Sequence, residues 1–347
     1  RGLSAAGRPG GEPGARRPGR DAAHRGRVSA ADYQDDRVLP DPGTLRAMPS
    51  NKPVAALPAG RRLVIVMPAY NAALTLERTY ADVPHDLVDR VILVDDVSRD
   101  QTVEGARRLG LDVIVHRQNR GYGGNQKTCY DAALEAGADV VVMLHPDYQY
   151  DATRIPALVE PILRGEADLM LGSRFIGDPL AGGMPRWKYV SNRFLTGLEN
   201  RVFGLRLSEY HTGFRAYSRR LLETIPYHRN SDDFVFDQEL VAQAVAAGMT
   251  IGEIAVPTRY FREASSVGLR RSIVYGLSTL RVCARFALHR VRLRPSPKLT
   301  PRPPRQHPAP NAGRDAAPNA GRDAAPGAGR DGGPVRGPGG RAPGGDG

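Results

Sequence analysis

The chain predicts an α/β fold built on an open, mostly parallel, doubly wound sheet, and three observations carry that reading. From Leu63 onward, short apolar runs alternate with segments of helical period. Polar clusters follow three of those runs, and the ends of the chain lack any sustained apolar period. Alternating strand and helix patterns mark βαβ units, whose ligand crevice lies beyond the carboxyl ends of the strands.

Taken in order, the first strand is Leu63 to Met67, an unbroken apolar run closed by Pro68, with a helix from Leu74 to Tyr80 behind it. Val91 to Val94 follows and leads into a helix over Thr102 to Leu109. Val113 to Val115 precedes a helix over Lys127 to Ala136. Val140 to Leu144 and Leu169 to Leu171 close the series, with a helix over Ile155 to Leu163 between them. Strands buried on both faces read as continuous apolar runs, as these do.

Composition sets the limits of the folded part. Residues 1–60 are crowded with Arg, Gly, Ala and Pro and bury too little to offset the entropy of ordering, so a disordered arm is expected. Residues 293–347 carry an eight-residue unit three times, APNAGRDA at 309–316 and 317–324 and APGAGRDG at 325–332, which reads as low-complexity tail. A folded domain is expected over 61–268, followed by a basic amphipathic helix over 269–292.

The formal charge of +12 belongs mostly to the ends. Residues 61–292 hold 30 Lys or Arg against 27 Asp or Glu, a balance of +3, so nucleic acid is not an expected partner. Cys129 and Cys283 are too few for a disulfide framework and fit a reducing compartment. No apolar run reaches the ~18 to 20 residues of a membrane span, and no secretory signal is visible. A cytoplasmic location is expected.

The polar clusters carry the chemistry. They are Pro68-Ala69-Tyr70-Asn71, Asp95-Asp96-Val97-Ser98-Arg99-Asp100 and His145-Pro146-Asp147-Tyr148-Gln149. Such residues also make turns and N-caps, but three clusters at one sheet edge favour a ligand site. In extended backbone Asp147 and Gln149 point the same way and can share a hard cation, with His145 two residues earlier as a third ligand or a donor. Asp95 and Asp96 suit a base or ribose, and Arg174 lies within reach of a phosphate. Gly121 to Thr128 nearly spells a P-loop, but Gln126 replaces the expected Gly.

The series VIVMPAYNA, VILVDDVSRDQT, NRGYGGN, LHPDYQYD, LGSRF, HTGFRAYSRR and FVFDQEL resembles, in order and spacing, family 2 glycosyltransferases of the dolichol-phosphate mannose synthase and polyprenyl-phosphate branch. The resemblance covers about Arg62 to Gly268. It implies a GT-A fold with a nucleotide-binding half and an acceptor-binding half, and an inverting transfer assisted by Mg2+ or Mn2+. The donor would be a nucleotide-diphospho-sugar, GDP-mannose or a UDP-hexose, and the acceptor a polyprenyl phosphate.

Carried over, Pro68 and Tyr70 hold the base with Asp95 or Asp96. Asp147 and Gln149 bind metal, and Arg174 and Arg262 face the diphosphate or the acceptor phosphate. Asp237 and Glu239 match an acidic motif near the acceptor, with Asp237 the candidate base for a hydroxyl acceptor or a helix-start cap. Three departures stand out. His145 replaces the Asp that opens the metal motif, Ala72 replaces a Glu, and Ser265-Ser266-Val267 lacks a Lys that Arg270 or Arg271 can supply. A non-catalytic nucleotide-sugar-binding scaffold and, further off, a P-loop-like NTPase are the competing readings.

Over 269–292, Ile273, Leu277, Leu280, Ala284, Ala287 and Val291 recur in steps of four and three, giving one apolar stripe. Arg270, Arg281, Arg285 and Arg292 fall on another face. No acidic residue occurs between Ala264 and Arg314, where eleven are basic. Such a helix either packs its stripe onto the core or holds the chain peripherally at the inner face of an acidic membrane.

Overall fold

A computed structural model describes residues 56–177, 179–180, 183–257 and 269–302. Arg262, much of the expected N-terminal arm and the octapeptide tail lie outside the described residues. Seven strands form one sheet in the order β3-β2-β1-β4-β6-β5-β7, where β1 is Leu63–Ala69, β2 Arg90–Asp95, β3 Asp112–Val115, β4 Val140–Met143, β5 Leu169–Ser173, β6 Arg215–Ser218 and β7 Ile251–Ala255. β1 to β4 pair in parallel, as do β5 and β7, while β6 runs antiparallel between β4 and β5. The expected α/β architecture is present, with five strands where the apolar runs place them.

Strand alternation divides the core into two layers. Val64 and Val66 face one side, beneath α3 (Gly121–Glu135), α5 (Arg186–Phe203), α6 (Arg219–Thr224), α7 (Phe236–Ala246) and α8 (Leu269–Arg290). Leu63, Ile65 and Met67 face the other, beneath α1 (Leu76–Ala81), α2 (Thr102–Arg108) and α4 (Ile155–Leu163). That period of two is why an unbroken apolar run is needed in a strand covered on both sides.

The antiparallel β6 positions the site. Arg215 pairs with Met143 at the carboxyl end of β4 and with Leu171 near that of β5. The segment entering β6, residues 211–214, is therefore delivered to the edge where the parallel strands end. Gly213 shows how close the approach is, because a Cβ there would stand 2.7 Å from His145 Cδ2.

Three expectations are corrected. The third helix begins at Gly121, six residues before Lys127, because tertiary contacts hold its first turn. Asp96 accepts from the backbone N–H groups of Arg120 and Gly121 at 2.7 and 3.0 Å, and the Gly123 N–H donates to Asp232 O at 2.8 Å. Residues 145–149 form a turn rather than an extended segment, with Tyr148 at φ 58° and the Gln149 N–H closing on Asp147 Oδ1 at 3.1 Å. Residues 293–302, counted by composition with the tail, pack on the domain through buried Leu299 and a Lys298 ion pair to Glu239 at 2.7 Å.

For α8 the structure bears on which way the stripe faces. The stripe that runs through Ile273, Leu277 and Val291 points to solvent, while Thr279, Val282, Cys283 and Phe286 are buried. Arg285 is turned onto Glu239 of α7 at 2.8 Å, and the Tyr275 hydroxyl meets His211 Nδ1 at 2.8 Å. These polar ties accompany the burial of Val282, Cys283 and Phe286 on the inward face.

Candidate active site

Two cavities open along the carboxyl edge of the sheet and share a wall. The larger, about 1100 Å³, is lined by Pro68, Tyr70, Asp96, Arg270 and Arg271 among others. The smaller, about 330 Å³, is lined by Gln149, Arg174, Trp187, Lys188, His211 and Asp237 among others. Tyr122, His145, Asp147, Phe234 and Tyr275 line both. The third strand-end cluster thus stands where the two spaces meet.

The loops at this edge are held under strain. Asn71, Val97 and Tyr148 all adopt positive φ, at 54°, 68° and 58°. They follow β1, β2 and β4 respectively. For a β-branched residue such as Val97 this conformation costs about 1–3 kcal/mol, which surrounding bonds must offset. Asn71 Oδ1 accepts from the Arg99 N–H at 2.8 Å, Ser98 Oγ accepts from the Asn71 N–H at 2.8 Å, and Asp95 Oδ2 accepts from the Ser98 N–H at 2.9 Å.

Asp95 and Asp96 therefore have different surroundings. Asp95 is wholly buried, and its Oδ1 has no hydrogen-bond partner among the described residues. Asp96 lies on the rim of the larger cavity, but its oxygens hold the start of α3 and His116 Nδ1 at 2.8 Å. Pro68 and Tyr70 line the same cavity, with Tyr70 exposed.

At the junction, burial pushes the Asp147 carboxyl above its ordinary range, and nearby His145 partly offsets that. Among the described residues no three His, Cys, Asp or Glu side chains cluster as a ready-made metal site. His145, Asp147 and Gln149 nevertheless line one cavity together. Asp237, in the first turn of α7, has no capping role. It accepts from the Tyr122 hydroxyl at 2.7 Å and from Gln126 Nε2 at 3.3 Å, and lies 3.8 Å from Arg215. Glu239 braces the C-terminal part of the fold by accepting from Ser231 N–H, Arg285 and Lys298.

Arg174 reaches the smaller cavity in a fixed pose. Its Nε donates to Glu209 Oε1 at 2.9 Å and its Nη2 to His211 O at 2.8 Å. Burial raises the Glu209 carboxyl, but Arg174 more than offsets this and holds it below its ordinary range. Lys188, which the strand-end reading missed, lines the same wall from α5, and burial and Arg174 depress its ammonium pKa. Only the pairing of α5 with this edge reveals it, since Lys188 lies far from any strand in sequence.

The P-loop reading fails on geometry. Residues 121–128 are helical, and Lys127 Nζ donates to Asn230 O at 2.6 Å and Asp232 Oδ1 at 2.7 Å. Its buried ammonium anchors the 230–232 loop instead of reaching a phosphate.

The model for the glycosyl transferase family 2 matches residues 64–225. An undecaprenyl-phosphate mannosyltransferase of Micrococcus luteus is 30% identical over 209 residues, covering 56% of this chain and 82% of that protein. Glycosyltransferase AglD of Haloferax volcanii is 31% identical over 218 residues, covering 59% of this chain but only 34% of that protein. Among solved structures, glucosyl-3-phosphoglycerate synthase from Mycobacterium tuberculosis, in complex with Mg2+ and UDP, has a TM-score of 0.53 at 21% identity, covering 70% of this chain and 87% of that one. That likeness is one of fold.

Proposed function

The chain belongs to glycosyl transferase family 2, and from that premise we propose that it transfers a hexose from GDP-mannose or a UDP-hexose to a polyprenyl phosphate with inversion at the anomeric carbon. The observation that carries the reading is the meeting of the two cavities at His145 and Asp147. A donor and an acceptor in separate spaces can touch only there. The undecaprenyl-phosphate acceptor named for the Micrococcus relative supports the choice of acceptor.

In this reading Pro68 and Tyr70 bear on the nucleotide base in the larger cavity, and Arg270 and Arg271 approach its phosphates. The residues at the junction fit a divalent ion, because the half-buried Asp147 carboxyl gains from a cation that keeps it ionised. Asp147, Gln149 and His145 would hold Mg2+ or Mn2+, which supplies positive charge against the departing nucleoside diphosphate.

The acceptor phosphate is already anionic at neutral pH, so its oxygen attacks C1 of the sugar without losing a proton. The C1–O bond to the diphosphate breaks as the new C1–O bond forms. The chain's task is to position that anion. Lys188 and Arg174 do so from the smaller cavity, where the crowding of two cations is relieved by an anion between them. Asp237 then serves as counter-ion to Arg215 rather than as a base.

The test is incubation with a panel of GDP- and UDP-hexoses, a short polyprenyl phosphate in detergent, and Mg2+ or Mn2+, with mass spectrometry of the products. Equal amounts of polyprenyl-phosphohexose and nucleoside diphosphate are expected. Transfer only to hydroxyl acceptors, or none with any donor, overturns the reading.

A further inference from the structure

We propose that the outward face of α8 seats the protein on an anionic lipid bilayer, with its aliphatic side chains in the interfacial layer and its arginines on the headgroups. The proposal deepens the reaction above, and rests on that reading only for the benefit of reaching a lipid acceptor.

A terminal helix on a domain ordinarily turns its richest apolar stripe inward, and α8 does the reverse. Ile273, Leu277 and Val291 are 57%, 52% and 61% exposed, while a narrower face through Val282 and Phe286 makes the contact with the core. Adjacent α5 packs against α8, with Leu195 Cδ1 3.9 Å from where a Cβ on Gly276 would stand. That helix adds outward-pointing Val190 and Phe194, 64% and 67% exposed. Exposed apolar side chains gathered on two packed helices mark an interaction surface.

The charges select the occupant. Arg281 is exposed beside the stripe on α8, and Arg292, just past the end of the helix at φ 59°, is exposed as well. α8 contains no Asp or Glu. A second copy docked symmetrically through this face would set arginines against arginines. The chain's own ends are rich in Arg as well and would meet the same repulsion. An anionic bilayer surface instead offers apolar depth and negative headgroups a few ångströms apart, the two things this face presents side by side. No helix among the described residues is long and apolar enough to cross a membrane, so the contact is one of lying on the surface.

The site gains from this seating. Ser272 and Tyr275 of α8 line the smaller cavity, so a bilayer under the outer face of the helix lies next to the space assigned to the acceptor phosphate. The helix is then both cavity wall and membrane contact.

The experiment uses the full chain and two variants altered only on the exposed face, Leu277→Ser with Val291→Ser, and Arg281→Gln with Arg292→Gln. Each is checked for unchanged thermal unfolding and for oligomeric state by gel filtration. Cosedimentation is measured with phosphatidylcholine vesicles and with vesicles containing phosphatidylglycerol, at low and high salt. Wild type should bind the anionic vesicles roughly tenfold better, with the preference lost at high salt. Both variants should lose most of that binding.

Equal binding by wild type and variants would overturn the proposal and assign the attraction to the Arg-rich ends. A wild-type dimer that the Leu277→Ser variant abolishes would overturn it in favour of a second copy. Transfer to a short acceptor in detergent, measured in parallel, separates the two readings. Its absence alongside α8-dependent vesicle binding removes the proposed reaction and leaves the docking face standing.

Discussion

The Tyr122 hydroxyl donates to Asp237 Oδ2 at 2.7 Å, joining the start of α3 to the start of α7 across the floor of the site. The same carboxylate lies 3.8 Å from the guanidinium of Arg215, a side chain with no exposed surface. Burial opposes the Arg215 charge, but Asp237 together with the surrounding Tyr217, Tyr122 and Tyr130 drives the guanidinium pKa upward. Asp237 is thus committed to a buried cation.

Asp237→Asn should therefore act first on stability. Leaving Arg215 buried without its counter-ion costs about 3–5 kcal/mol, measurable as a lower midpoint in denaturant unfolding. Per folded molecule, transfer to a phosphate acceptor should fall by less than about tenfold, since loss of a general base costs ~100-fold or more. A stable variant with a hundredfold slower reaction would restore Asp237 as a base.

Asp147→Asn should leave the fold intact, because it removes a carboxylate that burial already disfavours. Transfer should drop by about a hundredfold or more, the scale of losing charge stabilisation of a leaving group. The thermal shift given by Mn2+ with nucleoside diphosphate should vanish as well. A retained, metal-dependent shift would move the cation away from this junction.

Lys188→Met should raise the KM for polyprenyl phosphate by about 10- to 100-fold, as expected for loss of one charged hydrogen bond of ~1.5–3 kcal/mol. The KM for the nucleotide sugar should change little, because Lys188 lines only the smaller cavity. Steady-state kinetics with each substrate varied in turn would show a donor effect instead if the assignment of the cavities were reversed.

Glu253 gives a pH signature outside the site. Burial pushes its carboxyl from 4.5 up to about 7, against the hydrogen bonds from Ser208 and with Glu209 adding to the rise. The folded state then holds the proton more tightly than the unfolded state. The contribution of Glu253 to stability is greatest below about 4.5, falls as pH climbs to about 7, and stays lower above it. The difference is on the order of 3 kcal/mol. Glu253→Gln should flatten this part of the thermal-midpoint profile between pH 5 and 8, and equal slopes for the two proteins would contradict it.

Much of the fold was legible because its central strands are buried on both faces. Runs such as Leu63 to Met67 and Val140 to Leu144 have no other use for so many adjacent apolar residues. The polar clusters after β1, β2 and β4 were legible for the complementary reason, that Asp, Asn and His side chains collect where a parallel sheet ends. β6 and β7 were not. Arg-Ala-Tyr-Ser and Ile-Gly-Glu-Ile-Ala mix charge with apolar residues, and Arg215 is buried only because Asp237 and the carbonyls of Tyr210 and Thr212 surround it.

What the sequence by itself determined is therefore a doubly wound α/β domain with three chemically loaded strand ends, since side-chain periodicity and burial are local properties of the chain. Tertiary structure alone decided that β6 runs backward and carries Gly213 against His145, that Lys188 joins Arg174, and that α8 turns its larger apolar stripe outward. Each of those outcomes depends on contacts between residues far apart in the chain. The helical period of α8 locates its stripes, but which one faces inward depends on the core that receives Val282, Cys283 and Phe286 and on the partners that Glu239 and His211 offer to Arg285 and Tyr275.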